Sequence, residues 1–206
     1  MPDDHKMQEQ FFDYFLVLDF EATCEENKQM DPQEIIEWSV FKVNAKTYTV
    51  DGTFHEFIKP RHNPELTQFC KTLTTITQEM VNAGVSFPTA LQNFETWMEN
   101  DVGLDKRFVI VTCGDWDLKT MLPKQCRNEK MQLPEYCKSW LNIKKAYGEF
   151  AGITGFIKEN SVMMSGLGLT HEGIEHRATD DCMNISNILR TLAERGYVFA
   201  VTGKAK

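Results

Sequence analysis

Carboxylates spaced to share a face are the most chemical feature of this sequence. In Leu16-Val17-Leu18-Asp19-Phe20-Glu21-Ala22-Thr23 an apolar run ends in two acids one residue apart. Side chains alternate along a strand, so Asp19 and Glu21 fall on one face at the end of a buried strand. Two carboxylates held there repel each other and lose solvation, which destabilises the pair unless a cation sits between them. The plain alternative is a solvated strand end running into a turn. A second acid lies in the last helical pattern, where Asp181, Ile185, Ile188, Leu189 and Leu192 occupy one face. Asp181 therefore points toward the core and needs a partner. Asp180 shares a polar face with Asn184, Asn187 and Thr191 and reads as an exposed acid favouring the helix N-terminus. His176, five residues before Asp181, brings an imidazole to the same end of the domain. His5, His55, His62 and His171 read as ordinary surface or satisfied histidines. A third cluster is Thr112-Cys113-Gly114-Asp115-Trp116-Asp117-Leu118. One of its acids can cap the following helix, a role that suits Asp115, and the other can be a ligand. Trp116 reads equally as core filler or as an exposed stacking plane.

Two chemistries fit these pieces. A haloacid-dehalogenase-like phosphatase would draw an aspartyl nucleophile from Asp19, a threonine from the Phe108 to Thr112 run, and paired acids from Asp180 and Asp181. It would leave His176 without a task, and its second acid would be Glu21 where that class uses aspartate. A two-metal nuclease would hold two cations with three or four carboxylates, and a histidine titrating near neutrality would take a proton from water. The nuclease uses every feature.

These groups need a sheet and helices to converge. Tyr14 to Phe20, Glu34 to Val43, Thr53 to Ile58 and Phe108 to Thr112 read as strands, with Asp51-Gly52 as a hairpin turn signal. Phe87, Leu91, Phe94 and Met98 mark one helix, Leu118, Met121 and Leu122 another, and a last helix runs from about Ala178 to Arg195 with Gly196 as its stop. Hairpin-linked strands followed by strand–helix alternation predict an α/β domain with a mixed sheet flanked by helices.

The chain has 206 residues, 42% of them apolar, with 22 basic and 30 acidic residues and a net charge of −8. That length reads as one domain over 1–206, its core spanning about 12–200 between short polar tails. The acidic balance argues against a generic basic nucleic-acid binder, yet leaves room for a protein that gathers acids around cations. Met1 to Gln10 offer no secretory apolar segment, and the longest apolar run, Tyr14 to Leu18, is far short of a membrane span. Six cysteines, at 24, 70, 113, 126, 137 and 182, form no C-x-x-C pair, so they read as small core residues of a reduced intracellular protein, cytoplasmic or nuclear.

Taken in order, DYFLVLDFEATCEE, PQEIIEW, QFCKTLTTIT, VTCGDWDLKTMLPKQC, SWLNIKKAYGEF and HRATDDCMNI resemble the DEDDh subgroup of DnaQ-like 3′→5′ exonucleases, within it the ERI family that includes the histone-mRNA 3′ exonuclease. The resemblance runs from Tyr14 to about Phe199. It implies an RNase H-like fold whose first three strands are antiparallel. It implies catalysis by Asp19, Glu21, Asp117, His176 and Asp181. The four acids would bind two Mg²⁺ or Mn²⁺ ions, Asp19 bridging both, and His176 would be the general base that releases 5′-mononucleotides from a free 3′ end. Phe69 and Trp116 match positions flanking the last base, and backbone near Ala22, Leu73 and Thr74 would meet the sugar. Thr75 stands where relatives often carry glycine. The implied substrate is single-stranded RNA or a short 3′ overhang, with single-stranded DNA as an alternative and no membrane partner. Lys144 and Lys145, with Lys119, Lys124, Arg127 and Arg177, are candidates for phosphate contacts. The rival from another class is a non-catalytic RNA-binding or scaffold protein on the same fold.

Overall fold

Strand β1, Tyr14–Ala22, is central because its apolar residues are buried on both sides, as in a strand covered by helices on both faces. It pairs antiparallel with β2 (Ile35–Asn44), which pairs antiparallel with β3 (Val50–Phe57). On its other edge β1 runs parallel to β4 (Phe108–Thr112), followed by β5 (Ser139–Asn142), parallel, and β6 (Gly203–Lys204), antiparallel. The order β3-β2-β1-β4-β5-β6 is the mixed sheet with three leading antiparallel strands expected from the sequence. The computed structural model describes residues 7–205; His5 and the start of the polar N-terminal tail lie outside the described residues.

Alternation along β1 divides the core. Leu16, Leu18, Phe20 and Ala22 pack with Trp38, Val40 and the apolar stripe of α3 (Phe87–Trp97). Phe15 and Val17 face the other way, onto α5 (Ile143–Ala151), α6 (Asn160–Leu167) and α7 (Ala178–Glu194). Asp19 and Glu21 continue this second face, so the parity that buries Phe15 and Val17 also aims both acids at α7. Helix α7 is stopped as expected: Gly196 has φ +85°, its N–H donates to Ala193 O at 2.9 Å, and Tyr197 N–H donates to Leu192 O at 3.0 Å.

Two short helices, α1 (Gln68–Thr74) and α2 (Gln78–Ala83), follow β3, and the loop entering α1 is fixed by buried Glu34. The Glu34 carboxylate accepts the backbone N–H groups of Arg61 (2.6 Å), His62 (2.9 Å) and Asn63 (2.7 Å). Asp117–Met121 form a π-helical turn that leads into α4 (Leu122–Asn128), a deviation that often accompanies functional positions.

Two expectations need correction, and one strand carried no signal in the sequence. The β2–β3 turn lies over residues 45–49, while Asp51 and Gly52 belong to β3. Asn44 makes the turn, its Oδ1 accepting from Lys46 N–H at 2.9 Å and Thr47 N–H at 3.3 Å, with Tyr48 at φ +56°. Residues 139–142, to which the sequence pattern assigns no element, form β5. Finally, Asp115 caps no helix. Its Oδ1 accepts from Trp140 Nε1 and Asn142 Nδ2, both at 2.9 Å, and its Oδ2 pairs with Lys145 Nζ at 2.8 Å. Among the described residues no helix is long and apolar enough to cross a membrane.

Candidate active site

Four elements end around one cleft of about 500 Å³. The end of β1 contributes Asp19 and Glu21, the π-turn after β4 contributes Asp117, the first turn of α7 contributes Asp181, and the loop before α7 contributes His176. Glu21, His176 and Asp181 each offer a ligand atom within 4.8 Å of the other two. The five residues expected to do chemistry therefore share one wall. Of the expected nucleotide contacts, Ala22, Leu73 and Trp116 line the same cleft. Phe69 does not line it; half-buried, it lies one turn from Leu73 on α1. Thr74 is buried and spends its hydroxyl on Cys70 O at 2.8 Å, so any contact with a sugar would come from its backbone.

Local conformation explains how His176 is presented. It adopts φ +64°, and its backbone N–H donates to Asp181 Oδ2 at 3.0 Å, while its ring is exposed to the cleft. The acid thus orders the loop that carries His176. Asp180, expected to be exposed, is half-buried and accepts Ile174 N–H at 2.8 Å, tying the same loop to the helix. Thr75 takes the left-handed conformation at the end of α1, φ +58°, which explains why glycine suits that position. Its hydroxyl accepts from Arg177 Nη1 at 3.3 Å.

Burial and mutual repulsion dominate the electrostatics. Asp19 is raised well above the ordinary carboxylate range by burial, then by the charges of Asp117, Glu21 and Asp181. Burial, reinforced by Asp181 and Glu37, lifts Glu21 to about 9. Burial raises Asp117 to about 7, against the pull of the backbone N–H groups of Asp117 and Phe20. Burial raises Asp181 to about 6, with His176 as the main opposing influence. A divalent cation would remove this repulsion, and a set of carboxylate oxygens with one imidazole suits a hard ion such as Mg²⁺ or Mn²⁺. The residues present fit such ions.

Behind these acids lies Glu37, fully buried and directly opposite Glu21 in the β1–β2 register. It was not among the expected site residues. Its carboxylate accepts Ala178 N–H at 3.2 Å, lies 2.8 Å from His55 Nε2 and 3.7 Å from Arg177 Nε. Glu37 anchors the start of α7, and His55 is a bonded partner of this buried acid. Strand parity carries the signal for it, since Glu37 shares a face with Ser39, Phe41 and Val43. His171, placed 4.0 Å from Asp181 Oδ1, is a second histidine near the site that carried no sequence signal beyond its type. Of the basic candidates, Lys144 lines the cleft, Lys145 pairs with Asp115, Lys124 pairs with Asp31, and Lys119 and Arg127 are exposed elsewhere.

The phosphatase alternative fails on sheet parity. Val111 registers beside Val17 on the α7 face, so Thr112 lies on the opposite face from Asp19 and Glu21, where its hydroxyl donates to Gly114 O at 2.6 Å.

The chain is similar in sequence and fold to known exonucleases. The sequence pattern of the exonuclease family RNase_T matches residues 16–189. The human "ERI1 exoribonuclease 3" (Homo sapiens) is 46% identical over 199 residues, which cover 95% of this chain and 58% of that protein. The nuclease domain of 3′hExo, described as a DEDDh family member bound to rAMP, superposes with a TM-score of 0.91 at 32% identity, covering 96% of this chain and all of that one (100%). A 3′-exonuclease described in 3′-end-specific recognition of the histone mRNA stem-loop gives a TM-score of 0.92 at 31% identity, covering 96% of this chain and 69% of that one. The chain spans 58% of the length of the curated relative it matches.

Proposed function

Because the chain belongs to the RNase_T exonuclease family, in its DEDDh branch with the ERI proteins, we propose that it is a metal-dependent 3′→5′ exoribonuclease. The observation that carries this reading is the convergence of Asp19, Glu21, Asp117 and Asp181 on one cleft with His176 at its edge. The reading treats the chain as one exonuclease domain with a core from about residue 12 to 200. Two divalent cations, Mg²⁺ or Mn²⁺, held by those four acids would polarise the scissile phosphate and make water a better nucleophile. His176 accepts the proton from the attacking water, a task suited to an imidazole that is open to the cleft. Asp181 steadies that base through the His176 backbone N–H.

Ala22 and Leu73 form the side of the cleft that takes the terminal sugar, together with the backbone at Thr74, and Trp116 offers an exposed aromatic plane for the last base. Phe69, one turn from Leu73 on α1, does not line the cleft and is left out of that base stack. Stacking of this kind tolerates any base, which suits an enzyme that shortens a strand one nucleotide after another. The favoured substrates are single-stranded RNA and short 3′ overhangs, with single-stranded DNA as an alternative, and the products are 5′-mononucleotides. Six free cysteines, four of them buried, support a reducing intracellular setting, cytoplasmic or nuclear.

The test is a time course with 5′-labelled and 3′-labelled single-stranded RNA in Mg²⁺, Mn²⁺ or EDTA. The 5′-labelled strand is expected to shorten stepwise, the 3′-labelled strand to release a labelled mononucleotide at once, and EDTA to stop both. Binding of RNA with no shortening in either metal would instead support the non-catalytic scaffold.

A further inference from the structure

We propose that a second groove, beside the candidate active site, holds the nucleotides on the 5′ side of the cleavage point of a single-stranded RNA, with Phe156 as a stacking plane. This rests on the exonuclease reading and extends it. The groove, about 720 Å³, borders the catalytic cleft, and the two share Cys113, Trp116 and Lys144 in their walls. An exonuclease that accepts one nucleotide on the Ala22–Leu73 side must let the rest of the strand leave on another side, and the groove begins at the far flank of Trp116.

Its chemistry suits a strand of bases and phosphates. Phe156 is 86% exposed and Trp116 39%, with Ile153 also exposed on the same groove. Large aromatic side chains left this open are unusual on a soluble surface unless they meet a partner. The loop that presents Phe156 is pinned: Lys144 Nζ donates to Lys158 O at 2.7 Å, and Cys113 Sγ donates to Asn160 Oδ1 at 2.9 Å. Among the described residues Lys144 forms no ion pair: its Nζ meets the neutral Lys158 carbonyl, and its charge, felt by Asp117 in the cleft, stands at the junction of the two grooves where a phosphate would pass. The groove's two acids are engaged, Asp115 with Lys145 at 2.8 Å and Glu149 with Tyr197 Oη at 2.8 Å. The other neighbouring groove, about 410 Å³, has no lysine or arginine in its lining to meet a phosphate chain.

The experiment compares steady-state hydrolysis of a p-nitrophenyl ester of uridine 5′-monophosphate, which fills the terminal subsite alone, with that of a five-nucleotide RNA. Phe156→Ala is expected to raise KM for the pentamer about tenfold, the scale of one lost base stack, with kcat/KM for the ester unchanged within about twofold. Phe156→Trp is expected to restore the wild-type KM. A pentamer KM that Phe156→Ala leaves unchanged, while wild-type protein cleaves both substrates, overturns the groove and leaves the exonuclease reading standing. If Phe156→Ala impairs both substrates equally, its role is structural and the groove assignment is likewise overturned. If wild-type protein cleaves neither substrate, the exonuclease reading itself fails and the groove falls with it.

Discussion

Asp19 concentrates the conflict between stability and chemistry in one side chain. It follows the buried run of β1 and faces three other acids, and its carboxyl is raised by burial first and by their charges second. Asparagine keeps the shape and removes the charge. Asp19→Asn is therefore expected to stabilise the metal-free protein at pH 8 by ~1–3 kcal/mol, the usual range for a single substitution with a named cause. For a chain of this length that corresponds to a rise in Tm of about 2–4 °C per kcal/mol, read by circular dichroism in EDTA. A lowered Tm would show that the four carboxylates do not repel as described. Much of this residue-level picture was legible in the sequence. Strand alternation paired Asp19 with Glu21, and helical phase chose Asp181 over Asp180. Glu37 was legible by the same alternation, but its face holds Ser39, Phe41 and Val43, with no second acid on it to signal a paired site.

At the scale of elements, the site depends on how β4, β5 and α5 are tied together, and Asp115 makes that tie. It receives Trp140 and Asn142 from β5 and Lys145 from α5, while lying two residues before Asp117. Asp115→Ala leaves two buried donors and one lysine without their acceptor. The expected loss is ~2–3 kcal/mol of stability, with a Tm lower by about 5–10 °C and a raised KM because Trp116 and Asp117 share its loop. An unchanged Tm would mean that the tie carries no energy. Long periodic elements such as β1, β2, α3 and α7 could be read from apolar spacing. Strand β5 could not, because four residues are too few to set a period. The β2–β3 turn was misplaced for a different reason: Asn44 closes it with its own side chain, whereas the Asp51-Gly52 pair fits inside a strand.

Across the whole molecule, the excess of acids acquires a location. Of 30 acidic residues, four face one another in the cleft and a fifth, Glu37, lies behind them, so a net charge of −8 does not describe what a phosphate would meet beside bound cations. The pH dependence follows. In metal-free protein these carboxyls hold protons more tightly folded than unfolded: Glu21 at about 9 against an ordinary 4.5, Asp117 at about 7 and Asp181 at about 6 against 3.8. The folded state then binds more of these protons, so the stability that these carboxyls contribute is fully present below their unfolded values of 3.8 to 4.5 and is lost as pH rises through about 6 to 9. Thermal unfolding in EDTA should show Tm falling from pH 5 to pH 9. Saturating Mg²⁺ or Mn²⁺ should raise Tm and flatten the slope, since a ligand of the folded state alone stabilises it. A Tm that rises with pH in EDTA would contradict the arrangement.

The most direct test of the central claim is the single-turnover rate at which 5′-labelled single-stranded RNA loses its 3′ nucleotide in Mg²⁺, measured for wild-type, Asp19→Asn and His176→Ala protein of verified fold. Wild type is expected to release 5′-mononucleotides, and each variant to lose at least about 10²-fold of that rate. Full activity in either variant, or cleavage that begins inside the strand, would contradict that claim.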